Sequence, residues 1–170
     1  NYDIHSAMAQ LERPRKHYQQ YYTTEPANKD MLGAPQGLHM FLRSYYHHKS
    51  ADWTQNNPSP LREWSAEEAA TMPTYYIMDL DDTMADTVAQ EAPSQNQIDS
   101  CLWLTDEELD IYTIEYGRTG FQGGLNWYRS GSYSPNQKIM RSFAGMTINV
   151  PTIFIAGKND WGAYQRPGSL

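Results

Sequence analysis

Gly120–Arg129 reads GFQGGLNWYR, a stretch that combines three glycines with a phenylalanine, a tryptophan and a tyrosine. Upstream of it, Thr105–Glu108 has the pattern of a capping box, in which the threonine and the glutamate satisfy free backbone groups at the start of a helix. This helix is predicted to end at Gly117 or Gly120, since glycine is favoured just past a helix end. Leu125–Arg129 is predicted to open the next helical piece. The stretch therefore joins two helices through a glycine-rich turn.

Working outward, the rest of the chain up to residue 146 also has mostly helical patterns. Apolar and aromatic residues recur at steps of three and four, which is typical of a helix with one buried face. The clearest example is the stripe of Leu38, Phe41, Leu42, Tyr45 and Tyr46 within 35–49. The predicted helices cover residues 14–25, 35–49, 65–72, 74–90 and the segment after Thr105, where Leu109, Tyr112 and Tyr116 are expected to be buried.

One segment near the carboxyl end has a different pattern. Thr152–Gly157 reads TIFIAG, a short run that is apolar on both faces. Such a run is typical of a buried parallel strand. A strand of this kind needs neighbours for its backbone hydrogen bonds. Its partners are therefore expected outside these residues.

Composition excludes several classes of partner. The chain carries a formal net charge of -7, whereas nucleic acids and anionic membrane surfaces attract basic patches. The longest apolar run is far below the roughly 20 residues that span a bilayer. A single cysteine, Cys101, excludes an intramolecular disulfide and fits a reducing compartment, so a cytoplasmic location is predicted. We expect no nucleic-acid or membrane partner.

The adjacent pair His47–His48 lies at the end of the predicted 35–49 helix. Neighbouring side chains on a helix do not face each other, so a shared metal ion is not expected. A surface position, where positive charge suits the helix carboxyl end, is predicted instead.

Asp160 follows the predicted strand, where functional groups collect in open parallel sheets. An aspartate there could orient a histidine base and stabilise the imidazolium that forms. The alternative is an aspartate that makes a turn with Asn159 and Gly162 as its helpers. The spacing alone leaves both interpretations open.

The tyrosines, 13 in all, suggest a second kind of chemistry. Opening a strained ether leaves an alkoxide, and its conjugate acid is far weaker than a phenol of pKa about 10. Proton transfer from tyrosine to that oxygen is then downhill, and a second phenol adds a hydrogen bond as charge develops. Tyr18 and Tyr128 are candidates that only the fold could bring together.

A competing motif lies at Asp79–Thr83, where the sequence DLDDT follows apolar residues. The pattern resembles the first motif of haloacid-dehalogenase-like phosphatases, in which the first aspartate is the nucleophile and magnesium is bound. That chemistry would need a buried strand before Asp79 and an acidic pair on a later strand. The periodicity of 74–88 instead favours an acidic helix face exposed to solvent.

Four segments together resemble the soluble epoxide hydrolases of the α/β-hydrolase superfamily. The lid of that family ends in a G-F-x-G-x-L-N-W-Y-R segment, and Gly120–Arg129 matches it. An early lid segment like H/D-Y-Q-x-Y is matched by His17–Tyr21. The V-P-T-hydrophobic strand with a following G-x-x-D turn is matched by Val150–Asp160, and Leu104–Asp110 fits a lid helix start. Residues 33–100 match only as lid-like helices.

This resemblance implies roles for individual residues. Tyr18 and Tyr128 would be the ring-opening acids, and Asp160 the acid of the catalytic triad. Trp127, Phe121 and Tyr22 would line the pocket for a small apolar substrate, although Trp127 and Phe121 could equally be lid core. No metal or organic cofactor is implied. A homodimer of the parent protein through the lid is also included in this prediction.

The same resemblance implies a mostly α fold and a division of the chain. Residues 1–146 would form the helical lid (cap) domain, and 147–170 the start of the carboxyl-terminal part of an α/β core. The family's nucleophilic aspartate would precede Asn1 and its histidine would follow Leu170. The 170 residues alone are therefore expected to be inactive.

Three functions remain open at this point. The first is an epoxide hydrolase. The second is a relative with the same lid and another reaction, such as dehalogenation or ester hydrolysis. The third is a non-catalytic lid that binds apolar ligands or partners.

Overall fold

Helices dominate residues 3–168, the part of the chain described by a computed structural model. The helices are α1 (Ile4–Ala9), α2 (Tyr18–Thr23), α3 (Pro26–Leu32), α4 (Leu38–Lys49), α5 (Ala66–Ala69), α6 (Met84–Ala89), α7 (Gln95–Asp99), α8 (Asp106–Thr119), α9 (Gln122–Ser132) and α10 (Ser134–Arg141). Strands β1 (Arg15–His17) and β2 (Ile77–Asp79) pair antiparallel, with Lys16 opposite Met78. The predicted mostly α fold class is confirmed.

Helix α4 lies at the centre of the packing. It contacts α3, α6 and α8, and its buried side chains Phe41 and Leu42 join one continuous core. Aliphatic and sulfur-containing side chains from other elements complete that core, namely Met8, Met31, Ile77, Met78, Met84, Val88, Leu109 and Leu125. Burial of this apolar area is the main favourable contribution to the stability of the helical region.

The structure places His47 and His48 differently from the sequence prediction. Both are buried, and the His48 ring packs edge-on against Trp53 at 4.5 Å and Tyr75 at 4.8 Å between ring centroids. Burial, with smaller contributions from His47 and Lys49, lowers the pKa of His48 to about 4. The predicted surface position is therefore wrong, because tertiary packing turns this helix end inward.

Two predicted helices begin later than expected. Residues 15–17 and 77–79 form the sheet instead, and Tyr76 also receives a hydrogen bond from the backbone of Tyr18 at 2.8 Å. Residues 77 and 78 are buried, as suits a strand covered on both faces. Helix α6 begins only after Thr83, where Thr83 and Asp86 form a capping box.

Around GFQGGLNWYR, the predicted helix start at Thr105 and the stop at Gly120 are confirmed, whereas α9 begins at Gln122 and not at the predicted Leu125. Thr105 and Glu108 form both hydrogen bonds of the capping box at the start of α8. This helix ends at Gly120, whose φ of 67° lies in the region that favours glycine. Leu109 is buried on α8 and Tyr116 partly so, whereas Tyr112 is 45% exposed, contrary to the expectation.

The strand predicted at 152–157 is not formed. This segment has no ladder hydrogen bonds, and Ile153, Phe154 and Ile155 are 81%, 74% and 82% exposed. Within the described residues no strand lies beside it, so its backbone groups have no sheet to join.

None of the helices within residues 3–168 is long and apolar enough to cross a membrane.

Candidate functional site

Two helices that are distant in sequence carry the predicted acids. Helix α2 holds Tyr18 and Tyr22, helix α9 holds Tyr128, and these two helices pack against each other. The centroid of the Tyr128 ring lies 5.8 Å from that of Tyr18 and 5.0 Å from that of Tyr22. Tyr18 and Tyr22 are buried, and Tyr128 is partly buried against the core. The fold therefore brings the two sequence-predicted phenols together.

The surroundings of Tyr128 and Tyr22 favour the protonated form of these two phenols. Burial raises the pKa of Tyr128, and the neighbouring Tyr18 and Tyr45 phenols and a hydrogen bond with Tyr18 raise it further. Burial also raises the pKa of Tyr22 well above its usual range, followed by its interaction with Tyr45. A phenol that keeps its proton at neutral pH can act as a proton donor.

Two members of this cluster were not predicted from the sequence. The Tyr45 hydroxyl lies 3.2 Å from the Tyr22 hydroxyl, and Lys49 Nζ donates to the Tyr45 oxygen at 3.4 Å. The same ammonium lies over the rings of Tyr45, Tyr75 and Tyr76, at 4.9, 4.7 and 5.3 Å from their centroids. The available signal was the four-residue spacing from Tyr45 to Lys49, which places both on one face of α4.

Hydrogen bonds between side chains and backbone groups hold α9 against its neighbours at both ends. Arg129, next to Tyr128, donates from Nε to the Thr23 carbonyl at 3.2 Å and from Nη2 to the Thr24 carbonyl at 2.9 Å. At the other end, Asn28 Oδ1 accepts the backbone N–H of Phe121 at 2.8 Å. Because α2 also ends at Thr23, the arginine links the carboxyl end of that helix to the turn that carries Tyr128.

An apolar cavity of about 390 Å³ lies beside the phenol cluster. Two residues predicted to bind substrate, Tyr22 and Phe121, line it together with Phe41 and Tyr45. Phe121 stacks on Tyr116 at 4.5 Å between ring centroids and meets Phe41 edge-on at 5.9 Å. The cavity is therefore lined largely by aromatic residues, while the binding role of these residues stays a prediction.

Trp127 lies apart from that cavity. Its side chain is 78% exposed, so the alternative that it packs in the lid core is wrong. It borders a second opening of about 450 Å³, which Tyr128, His5 and Gln19 also line. A contact between Trp127 and a substrate stays a prediction.

Asp160 caps a one-turn 3-10 helix at Trp161–Ala163. Its carboxylate accepts the backbone N–H of Gly162 at 2.7 Å, and Asp160 itself is exposed. Its negative charge contributes, after burial, to the raised pKa of Tyr75 and of Tyr76. The turn-forming interpretation thus describes its hydrogen bond, and the carboxylate also lies near the tyrosines. Its role as a triad acid stays a prediction.

Asp79, the first aspartate of the phosphatase-like motif, is bound by two arginines. Arg13 donates to both carboxylate oxygens at 2.6 Å, and Arg15 donates to Oδ1 at 3.0 Å. These contacts, the Arg13 hydrogen bond above all, lower the pKa of Asp79. A strand does precede it, but that strand pairs antiparallel with β1 and the carboxylate ties the sheet to the arginines. Among residues 3–168 no cluster of three or more His, Cys, Asp or Glu side chains could hold a metal ion.

Comparisons with known proteins point to one kind of enzyme. The chain is 52% identical over 58 residues to epoxide hydrolase A of Mycobacterium tuberculosis (strain ATCC 25618 / H37Rv), which is 34% of this chain and 17% of that protein. It is 38% identical over 66 residues to epoxide hydrolase 1 of Siraitia grosvenorii, 39% of this chain and 20% of that protein. It is 36% identical over 56 residues to bifunctional epoxide hydrolase 2 of Mus musculus, 33% of this chain and 10% of that protein.

Other comparisons add no match, since neither a family model nor a solved structure resembles the chain significantly. The chain covers a fifth or less of the length of the curated relatives named above. All three of these relatives are named epoxide hydrolases. The chain is therefore epoxide hydrolase-like, with the mostly helical architecture expected for a lid of an α/β-hydrolase.

Proposed function

We propose that this chain is the lid region of an enzyme that hydrolyses apolar epoxides. The observation that carries the proposal is the pairing of Tyr18 with Tyr128 on neighbouring helices, with 5.8 Å between their ring centroids. The named relatives support epoxide hydrolysis in particular, and the paired phenols supply the acid that this reaction needs. In this proposal residues 1–146 form the lid and 147–170 begin the core.

The proposed reaction has two steps. An aspartate from outside the 170 residues attacks one epoxide carbon, the carbon–oxygen bond breaks, and its electron pair stays on the oxygen. Tyr18 and Tyr128 bind this oxygen, and one of them transfers its proton to it. Water activated by a histidine, which Asp160 orients, then adds to the ester carbonyl and releases the diol. The imidazolium returns its proton to the departing alkoxide oxygen of the diol. The aspartic acid that is released then loses its proton, which restores the phenol, and no step requires a metal ion.

The raised pKa of Tyr128 fits this role. Burial keeps the phenol protonated through the neutral range. The alkoxide that forms is still the stronger base, because an aliphatic alcohol is a weaker acid than a phenol. The cavity of about 390 Å³ next to Tyr22 would hold an apolar substituent of the substrate.

The test uses the longer protein and the variants Tyr18→Phe, Tyr128→Phe and their combination. Loss of the acid is expected to lower kcat for epoxide hydrolysis by about 10²- to 10⁴-fold. Tyr133→Phe is the matched control, since Tyr133 is 60% exposed. Unchanged turnover in the double variant would contradict the proposal.

The tyrosine variants also distinguish epoxide hydrolysis from dehalogenation and ester hydrolysis. A halide leaves without being protonated and an ester does not generate a ring alkoxide, so a dehalogenase or an esterase would not depend on the phenol pair in this way. The apolar cavity favours a second candidate, ligand binding by the lid alone. Isothermal titration of the 170-residue chain with an apolar amide or urea tests it. Two results together would support this second function. The ligand would bind to the chain and bind more weakly to Phe121→Ala, and the longer protein would hydrolyse no epoxide.

A further inference from the structure

His17 is the last residue of strand β1 and immediately precedes Tyr18, the first residue of helix α2. It is 6% exposed, and its backbone has the extended conformation of a residue that caps a helix (φ -75°, ψ 134°). Its Nδ1 accepts the backbone N–H of Gln19 at 3.2 Å. An imidazole nitrogen thus accepts a free backbone N–H in the first turn of the helix, a role that a side-chain oxygen usually has.

The same imidazole ring stacks on the Tyr18 ring. The two centroids are 5.0 Å apart and the planes differ by 27°. Tyr18 in turn meets Tyr128 edge-on, with an interplanar angle of 78°. One side chain thus fixes both the first turn of α2 and one face of the phenol that this turn presents.

Helix α2 has only six residues, so its own hydrogen bonds do little to hold it in place. Two other contacts position it from outside. The Tyr18 N–H donates to the Tyr76 carbonyl at 2.8 Å, and Arg129 binds the carbonyls of Thr23 and Thr24. The third contact is the hydrogen bond to His17 Nδ1, which lies in the first turn of α2, the turn that contains Tyr18.

We infer that His17 is a positioning residue for Tyr18: its neutral imidazole caps α2 through Nδ1 and so sets the Tyr18 phenol against Tyr128. This inference rests on the proposed function as far as catalysis is concerned, whereas the cap itself does not. In the family that the chain resembles, the segment matched by His17–Tyr21 begins with either histidine or aspartate. The helix cap gives a physical reason for these two residue types. Both side chains offer an acceptor at the distance that a helix cap requires.

The cap requires a neutral ring, since an imidazolium has N–H groups at both nitrogens and no acceptor. The groups that face His17 all oppose its protonation. Burial comes first, and then the positive charges of His5 from α1 and of Arg166 from the carboxyl-terminal segment, which lower the pKa of His17 to about 4. Trp64, whose ring centroid is 6.4 Å away, adds an uncharged wall. The cap is therefore intact at neutral pH and is lost on strong acidification.

Two variants of His17 separate the effect of the capping hydrogen bond from the effect of removing the imidazole ring. His17→Asn keeps an acceptor at a position close to Nδ1, and asparagine is among the preferred capping residues. His17→Gln has the same amide one methylene farther out and is a poor cap. Both remove the stacked ring, so any difference between them reports the hydrogen bond to Gln19.

The first experiment is NMR on the 170-residue chain, without reference to activity. At pH 7 the His17 imidazole is expected as the Nε2–H tautomer, with Nδ1 unprotonated. The Gln19 amide should exchange with solvent about fivefold faster in His17→Gln, because a lost cap costs about 1 kcal/mol, and close to the parent rate in His17→Asn. An Nδ1–H tautomer, or equal exchange in the two variants, would overturn the cap.

The second experiment is turnover in the longer protein. We expect His17→Gln to lower kcat about tenfold with little change in KM, and His17→Asn to restore most of it. In a Tyr18→Phe background, His17→Gln should have no further effect, because it acts through Tyr18. An equal loss in that background would overturn the positioning role. If the combined Tyr18→Phe and Tyr128→Phe variant leaves kcat unchanged, the proposed function fails while the NMR result still decides the cap.

Discussion

Two regions of this chain are both rich in apolar side chains, yet only one of them packs. In the helical region, residues 15–132, Phe41 and Leu109 are 1% and 0% exposed. In the exposed segment, residues 142–157, Phe154 and Ile155 are 74% and 82% exposed. A helix satisfies most of its backbone hydrogen bonds internally and can bury a face against any suitable neighbour, whereas a strand needs a partner strand first. Apolar character alone therefore does not create a core.

The largest expected difference between the regions comes from removing one aromatic ring in each. Phe41→Ala should lower the free energy of unfolding by about 3–5 kcal/mol, because it leaves a cavity in the core. Phe154→Ala should change it by less than about 0.5 kcal/mol, since the ring already faces solvent. Urea denaturation of the two variants measures both values. A large loss for Phe154→Ala would show that the exposed segment is packed in solution.

Acidification should affect the helical region through its buried histidines. The pKa of His17 and that of His48 both lie at about 4 in the folded chain, against an ordinary value of 6.5. The unfolded chain therefore binds these protons first, so stability is complete above pH 6.5 and falls as the pH drops toward 4. The expected loss is on the order of a few kcal/mol.

Chemical denaturation at several pH values measures this loss. His48→Phe should flatten the dependence, because it removes a buried group that titrates. Residues 142–157 contain no ionisable side chain and should contribute nothing. A pH dependence that is the same in His48→Phe would contradict the assignment to His48.

Two glycines with similar backbone conformations provide a matched pair. Gly120 and Gly145 have φ of 67° and 79°, where a side chain is strained. At Gly120 a Cβ would also lie 3.0 Å from Asn28 Oδ1, whereas nothing lies within 4 Å at Gly145. Gly120→Ala should therefore cost about 1–2 kcal/mol and Gly145→Ala less, because the exposed backbone can relax. Thermal unfolding compares them, and a greater cost at Gly145 would contradict this expectation.

The smallest effect concerns the link between helices α2 and α9. Arg129→Met removes the hydrogen bonds to the carbonyls of Thr23 and Thr24 and should cost about 1 kcal/mol. Arg141→Met, on an exposed residue at the end of α10, is the control and should be neutral. Amide exchange at the end of α2 should increase only in Arg129→Met. Equal exchange in both variants would show that the arginine does not hold the helix.

Sequence reasoning succeeded where the signal is local. The Thr105–Glu108 capping box and the helix stop at Gly120 each depend on residues within one turn of each other. It failed at 77–79, where a helical period was overridden by pairing with residues 15–17. It also missed helix α1, and it placed His48 on the surface although the ring is fully buried.

The candidate site shows the same division. Candidate residues could be proposed from residue types and motif resemblance, namely the tyrosines and an aspartate in a turn, and their chemical roles stay a prediction. Its composition was not, since Tyr45 and Lys49 entered the cluster through the packing of α4. Nor could spacing predict that His17 would cap the helix on which Tyr18 lies.

By itself, the sequence determined the helical character of this chain, the ends of α8 and the presence of tyrosines and glycines around residue 128. Those features depend on hydrogen bonds and rotamer preferences within a few residues. Only the tertiary structure decided that Tyr18 meets Tyr128, that His48 is buried and that residues 152–157 remain without a sheet. The reason is that burial and strand pairing depend on which distant surfaces come into contact.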